Sequence, residues 1–247
     1  MKQRLRKKKW CTRADCTGAE AVQIIKTLAK ETGLSEVMAR LLYTRGFESA
    51  EAVRSFLHKD EVQLHDPFLM MDMKKAVDRV ELALERGEKI AIYGDYDVDG
   101  VTSVSLLYLY LTSRGGNVTY YIPSRSREGY GLSVPAIDNL KAEEGIQLMI
   151  TVDTGITANA ETAYAGSIGI DTVVTDHHEC HNELPNVCAV VNPHRPDDAY
   201  PFKELAGVGV VFKLVCALEM SRARAAGESD LSAVRTVCQT YGDLVAI

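Results

Sequence analysis

Apolar positions in the first third of the chain recur at helical spacing, whereas further on they also gather into short solid runs. Helical patterns cover 21–32, 35–43 and 49–56, with Gly33 and Gly46 as stops and Ser35 placed to cap the second. Pro67 separates this small helical segment from the remainder of the chain. Met73, Ala76, Val77, Val80, Leu82, Ala83 and Leu84 then fall at the spacing of an amphipathic helix ending near Gly87. Beyond it, apolar runs predict strands at 89–93, 117–122, 147–152 and 171–174, separated by helical patterns near 101–113, 134–142 and 158–165. A Pro-rich connection at 185–201 and helices near 209–222 and 231–241 complete the pattern. Strands alternating with helices predict an α/β fold with a mostly parallel sheet and crossover helices. The expected domains are a helical segment with a basic lead-in, 1–66, and an α/β domain, 67–247.

Composition narrows this picture only a little. A chain of 247 residues with 46% hydrophobic content can bury a substantial core. Its net charge of −6 does not mark a general nucleic-acid binder, so such a role needs a local basic patch. The basic start MKQRLRKKKW is followed by polar residues, which speaks against a secretory signal, and no run approaches a membrane span. The six cysteines show no framework spacing, and a zinc site from Cys11, Cys16, Cys180 and His181 lacks a paired C-x-x-C. A soluble cytoplasmic protein with reduced thiols is expected.

The chemistry concentrates where predicted strands end. In KIAIYGDYDVDGVT (89–102) a buried-strand run stops at Asp95, Asp97 and Asp99, three carboxylates on one short loop that repel each other unless a cation sits among them. D-x-D-x-D-G also opens a calcium-binding EF-hand, but its twelfth position here is Leu106 instead of glutamate, and a strand precedes it. That reading fails. The third predicted strand ends at Asp153, and the fourth at Asp176, His177 and His178. Alone, an aspartate after a strand is most often a helix cap. Together, carboxylates and an imidazole on one rim suit hard divalent ions such as Mn²⁺ or Mg²⁺. Two such ions ~3.5–4 Å apart are a common device for phosphoester hydrolysis. The second strand ends in a loop with Arg125, Arg127, Gly129 and Gly131, placed to face phosphates.

DYDVDG (95–100), VDTG (152–155) and TDHHE (175–179) resemble the first three motifs of the DHH phosphoesterases. IPSRSREGYGLS (122–133), NPHRPDDAYPF (192–202), LAGVGVVFKL (205–214) and GLSEVMARLLYTRGF (33–47) are similar to the members of that family that degrade single-stranded DNA. The resemblance covers the chain from about residue 19 onward. It implies a 5′-to-3′ exonuclease acting on single-stranded DNA in recombination and repair, with two Mn²⁺ or Mg²⁺ ions as cofactors.

By the same resemblance Asp97 and Asp99 are metal ligands, Asp153 is shared between the ions, and His177 completes one site. His178 faces the scissile phosphate, while Asp95 and Asp176 belong to the catalytic set as groups that orient ligands. Arg125 and Arg127 hold phosphates, and Gly129 and Gly131 let backbone approach the strand. Asn192, His194 and Arg195 are further candidates on that rim, with Arg195 placed among the substrate contacts. In the family another aspartate normally follows a segment like GDLVAI, where this sequence stops, so it is expected to be the N-terminal part of a longer protein whose C-terminal domains are its partners. The metal motifs equally fit relatives that act on short oligonucleotides, cyclic dinucleotides or pyrophosphate, although the flanking stretches argue against these. A catalytically silent scaffold on the same fold is the alternative from another class.

Overall fold

The computed structural model describes residues 16–57, 64–124, 131–181 and 183–246. It divides into two compact units, Met1–Leu64 and His65–Ile247. In the first, helices α1 (Ala19–Thr32), α2 (Glu36–Tyr43) and α3 (Ala50–Leu57) bury Ile25, Leu28, Ala39, Leu42 and Val53 among themselves. Gly33 ends α1 in the left-handed region (φ 73°), and the Ser35 hydroxyl accepts from Met38 N to start α2.

The second unit begins with α4 (Met73–Arg86) and continues as β1 (Lys89–Gly94), α5 (Val98–Ser113), β2 (Asn117–Tyr121), α6 (Val134–Asn139), β3 (Leu148–Val152), α7 (Asn159–Ser167), β4 (Asp171–Thr175), β5 (Ala189–Val191), α8 (Gly207–Ala226) and α9 (Asp230–Val245). All strand pairings are parallel, in the order β2-β1-β3-β4-β5. Alternate residues of each strand serve opposite faces. Ile90, Ile92, Ile150 and Val173 pack with α4, α5 and α8 on one side, and Ala91, Tyr93 and Met149 with α6 on the other. Both faces are covered, which is why the strands read as solid apolar runs. Among the described residues no helix is long and apolar enough to cross a membrane.

Two departures from the sequence pattern bear on the site. The stretch expected to be a Pro-rich connection contains β5, three residues long, whose outer edge is closed by side chains. Helix α5 starts three residues earlier than expected, because the Asp97 carboxylate accepts from Gly100 N at 3.0 Å and caps it. The acidic motif is therefore a strand end, a cap and a first helical turn in one.

Candidate metal centre

In a parallel sheet of this order, the direction of winding reverses between β1 and β3, and the loops leaving their carboxyl ends part to leave a crevice. Gly94, Val152, Thr175 and Val191 lie level across four strands. The residues after them, Asp95, Asp153, Asp176 and Asn192, are all polar and nearly or wholly buried, with exposures of 4, 1, 1 and 0%. A buried polar row at a strand edge is costly unless its groups find partners. How each one does so divides the row into a brace and a binding centre.

Asp176 and Asn192 form the brace. Asp176 Oδ2 accepts from Ile156 N (2.9 Å), and Oδ1 accepts from His177 N (2.8 Å) while lying 2.7 Å from His178 Nδ1. Burial works to raise the Asp176 pKa, but the His178 ring and the Ile156 and His178 N–H groups outweigh it and hold the carboxyl below its usual range. The same contact lifts His178 to about 9. Asn192 Nδ2 donates to the His178 carbonyl (2.9 Å) and its Oδ1 accepts from His194 N (2.7 Å). Both polar ends of Asn192 are thus committed to the histidine loop and to its own turn.

Asp153 is the opposite case. Its backbone is left-handed (φ 58°), and its Oδ1 is buried without a hydrogen-bond partner. His177 Nε2 lies 3.1 Å from that oxygen but is not aligned to donate to it. Burial, reinforced by Asp99 and Asp97 and opposed by His177, raises the Asp153 pKa to about 6. Two sets of ligand atoms meet at this residue. Asp95, Asp97 and Asp153 offer oxygens within 4.8 Å of one another, and Asp153, His177 and His178 offer a second such set. Among the described residues no lysine or arginine forms an ion pair with Asp97, Asp99 or Asp153. An orphaned buried oxygen common to two donor sets fits a hard cation on either side of it.

Helices α5 and α8 both start here. Gly207 N and Val208 N donate to Asp99 Oδ2 and Oδ1, each at 2.7 Å. The start of α8 thus takes one lone pair on each Asp99 oxygen, and Asp95, expected to orient ligands, offers an oxygen alongside Asp97 and Asp153. Asp99 Oδ2 stays 3.5 Å from His177 Nε2, so it borders the centre. The approach of α8 depends on glycine, since a Cβ at Gly207 would lie 2.5 Å from Asp153 Oδ1. Gly100 is likewise required, because a Cβ there would lie 2.4 Å from the Asp95 carbonyl oxygen. The G-V-G spacing at 207–209 was the available sequence signal for this contact.

The expected substrate contacts fare differently. Arg125, Arg127 and Gly129 lie outside the described residues. Gly131 (φ 90°) places its carbonyl 3.2 Å from the Tyr93 hydroxyl that donates to it. Arg195 is corrected. It is buried and spent within the chain, with Nε and Nη2 forked onto Asp197 (2.9 and 2.7 Å) and Nη1 donating to Asp72 Oδ2 and to the Val190 carbonyl (2.7 Å each). Asp72 Oδ2 also accepts from Val190 N at 3.3 Å. Together Asp72 and Arg195 close the outer edge of β5, where a bare strand would leave these groups unpaired. A phosphate would have to break that arrangement to reach the guanidinium.

The model of the DHH family, N-terminal domain, matches residues 89–246. The chain belongs to the DHH family. Over 194 residues this DHH chain is 49% identical to the single-stranded-DNA-specific exonuclease RecJ of Bacillus subtilis strain 168, covering 78% of the chain and 25% of that protein. Over 187 residues it is 39% identical to the Escherichia coli K12 protein of the same name, covering 75% and 31%. The chain therefore spans about a quarter to a third of the length of these curated relatives. A crystal structure of exonuclease RecJ bound to manganese matches 68% of this chain and 43% of that one, with a TM-score of 0.57 and 31% identity. RecJ in complex with Mn²⁺ from Thermus thermophilus matches 88% of this chain and 30% of that one with a TM-score of 0.62, and at 24% identity it supports the fold.

Proposed function

We propose that this DHH chain carries the metal-dependent phosphodiester-hydrolysing centre of a 5′-to-3′ exonuclease for single-stranded DNA, acting in recombination and repair. The observation that carries the reading is the Asp153 carboxylate, buried, lacking a hydrogen-bond partner on Oδ1 and common to two donor sets. The names of its relatives and the manganese in a related structure supply the substrate and the ion. Mn²⁺ or Mg²⁺ would be held by Asp95, Asp97 and Asp153 on one side and by Asp153, Asp99 and His177 on the other. Bound there, the ions would supply an activated water and stabilise charge on the phosphate oxygens.

The chain's own groups do the rest. Asp176 holds the His178 ring through Nδ1 at 2.7 Å, which fits it to face the scissile phosphate and give a proton to the leaving oxygen. Asn192, through the His178 carbonyl, fixes the loop that presents both rings. Asp99 ties α8 over the centre, and the positive ends of α5 and α8 favour anionic ligands there. Arg125 and Arg127 add phosphate contacts along the strand. Further domains of a longer protein complete the grip on DNA.

The reading is tested by titrating Mn²⁺ into the chain by calorimetry, with release of nucleotides from a 5′-phosphorylated single strand measured on the same sample. Two ions bound per chain, with Asp153→Ala abolishing both events, is the expected result. Absence of Mn²⁺ binding would overturn it. Faster turnover of a dinucleotide than of a long strand would instead favour a relative for short substrates.

A further inference from the structure

A cleft of about 320 Å³ opens beside His178, and the hydrolytic chemistry above leaves it unused. Its buried members are Leu132, Thr154, Gly155, Ile156 and Asp176. Leu132 and Gly131, where the chain returns from the loop after β2, lie along it, as do Thr157, Ala158 and Glu161 around the start of α7. His178 belongs to the cleft and to one donor set of the candidate centre alike, so an occupant would adjoin a phosphate placed at His178. The hydrogen bond from Ile156 N to Asp176 Oδ2 ties the loop after β3 to the histidine loop, so the cleft is built before anything enters it.

Among its described lining residues no lysine or arginine contributes. His178, paired with Asp176, is the cation that adjoins the centre, whereas the Glu161 carboxylate elsewhere in the cleft repels an anion. What it offers is apolar surface from Leu132, Ile156 and Ala158, the hydroxyls of Thr154 and Thr157, and the Glu161 carboxylate as an acceptor. That mixture suits a flat, uncharged group carrying N–H or O–H donors. The volume is at the low end of ordinary ligand pockets, ~300–1,000 Å³, and admits one nucleoside but no base pair.

We infer that this cleft is the subsite for the sugar and base of the nucleotide whose phosphate lies at His178. The inference rests on the phosphodiesterase reading above and adds where the uncharged part of the nucleotide goes.

The probes are deoxyadenosine and thymidine, which carry no phosphate, titrated into the Mg²⁺-loaded chain while backbone amide resonances are followed by NMR. The Mn²⁺ isotherm is recorded in parallel. Shifts centred on Gly155, Thr157 and Glu161 are expected, with affinity lowered about fivefold or more by Glu161→Ala or by Thr157→Trp at the exposed rim. The Mn²⁺ isotherm should be unchanged in both variants. If the isotherm is intact but the nucleosides leave these amides unmoved, or both variants bind them as well as the parent, the subsite is wrong and the metal centre stands. A missing isotherm would overturn both.

Discussion

Arg195 and Asp153 are both buried charged side chains near the carboxyl edge of one sheet, yet their surroundings differ in kind. Around Arg195 the chain supplies everything, with two carboxylates and a carbonyl within 2.9 Å of the guanidinium. Around Asp153 it supplies more carboxylates and two imidazoles, and leaves one oxygen without a donor. A buried charge satisfied by its own chain holds the fold together. One left unsatisfied is set aside for something that arrives from outside, and its presence weakens the empty protein. The contrast separates structural from functional charge without reference to any relative.

The largest effect that could break this contrast is on catalysis. Asp153→Asn should reduce nucleotide release more than about 10³-fold, because a ligand common to both donor sets contributes several kcal/mol to charge stabilisation. The same substitution should make the metal-free protein more stable, by on the order of 1–2 kcal/mol at pH 7. The sign follows from the raised pKa: a carboxyl at about 6 in the fold and 3.8 otherwise binds its proton more tightly when folded, so ionising it at neutral pH opposes folding. Urea denaturation without metal reads this directly, and a less stable variant would count against it.

Next comes the opposite behaviour at the satisfied cluster. Arg195→Ala should destabilise by about 3–5 kcal/mol, the cost of leaving Asp72 and the Val190 carbonyl without their partner. Any surviving folded protein should keep its Mn²⁺ affinity, which calorimetry would show. Loss of affinity for single-stranded DNA with stability intact would instead return Arg195 to the substrate side.

A smaller effect is expected at the meeting of α8 with the centre. Gly207→Ala should cost about 1–3 kcal/mol from overpacking and weaken Mn²⁺ binding, since the added methyl would press on Asp153 Oδ1. Gly209→Ala, whose nearest contact is the Leu205 side chain at 3.2 Å, should leave metal binding alone.

Smallest of all is the dependence on pH, which sharpens the contrast by its sign. Burial opposes ionisation of Asp72, but Lys75, Arg195 and the Val190 N–H prevail and lower its pKa. Its contribution is present above 3.8 and is lost as pH falls through the lower folded value. Asp153 in the metal-free protein acts the other way, losing stability as pH rises from 3.8 toward 6. Saturating Mn²⁺ should remove the second dependence and leave the first, as read from thermal melts across this range.

The sheet was legible because its strands are buried on both faces and therefore apolar without interruption, as at 89–93 and 147–152. Asp153, His177 and Asp176 could be placed at strand ends by counting along the chain. Strand β5 could not, since three residues in a Pro-rich setting carry no periodicity and are held by Asp72, 118 positions before Val190. The docking of α8 onto Asp99 was hidden for the same reason, since Gly207 and Val208 lie 108 and 109 positions further along the chain. Arg195 was placed with the phosphate holders through the resemblance of 192–202, and a sequence does not reveal that its charge is already met by Asp72 and Asp197.

The link from Asp99 to Gly207 joins residues 108 positions apart. A nascent polypeptide must therefore be synthesised past Val208 before α8 can close over the acids. Until then the Asp99 carboxylate has no α8 N–H groups to accept from, so closure of the acidic rim by α8 comes after all five strands have been made.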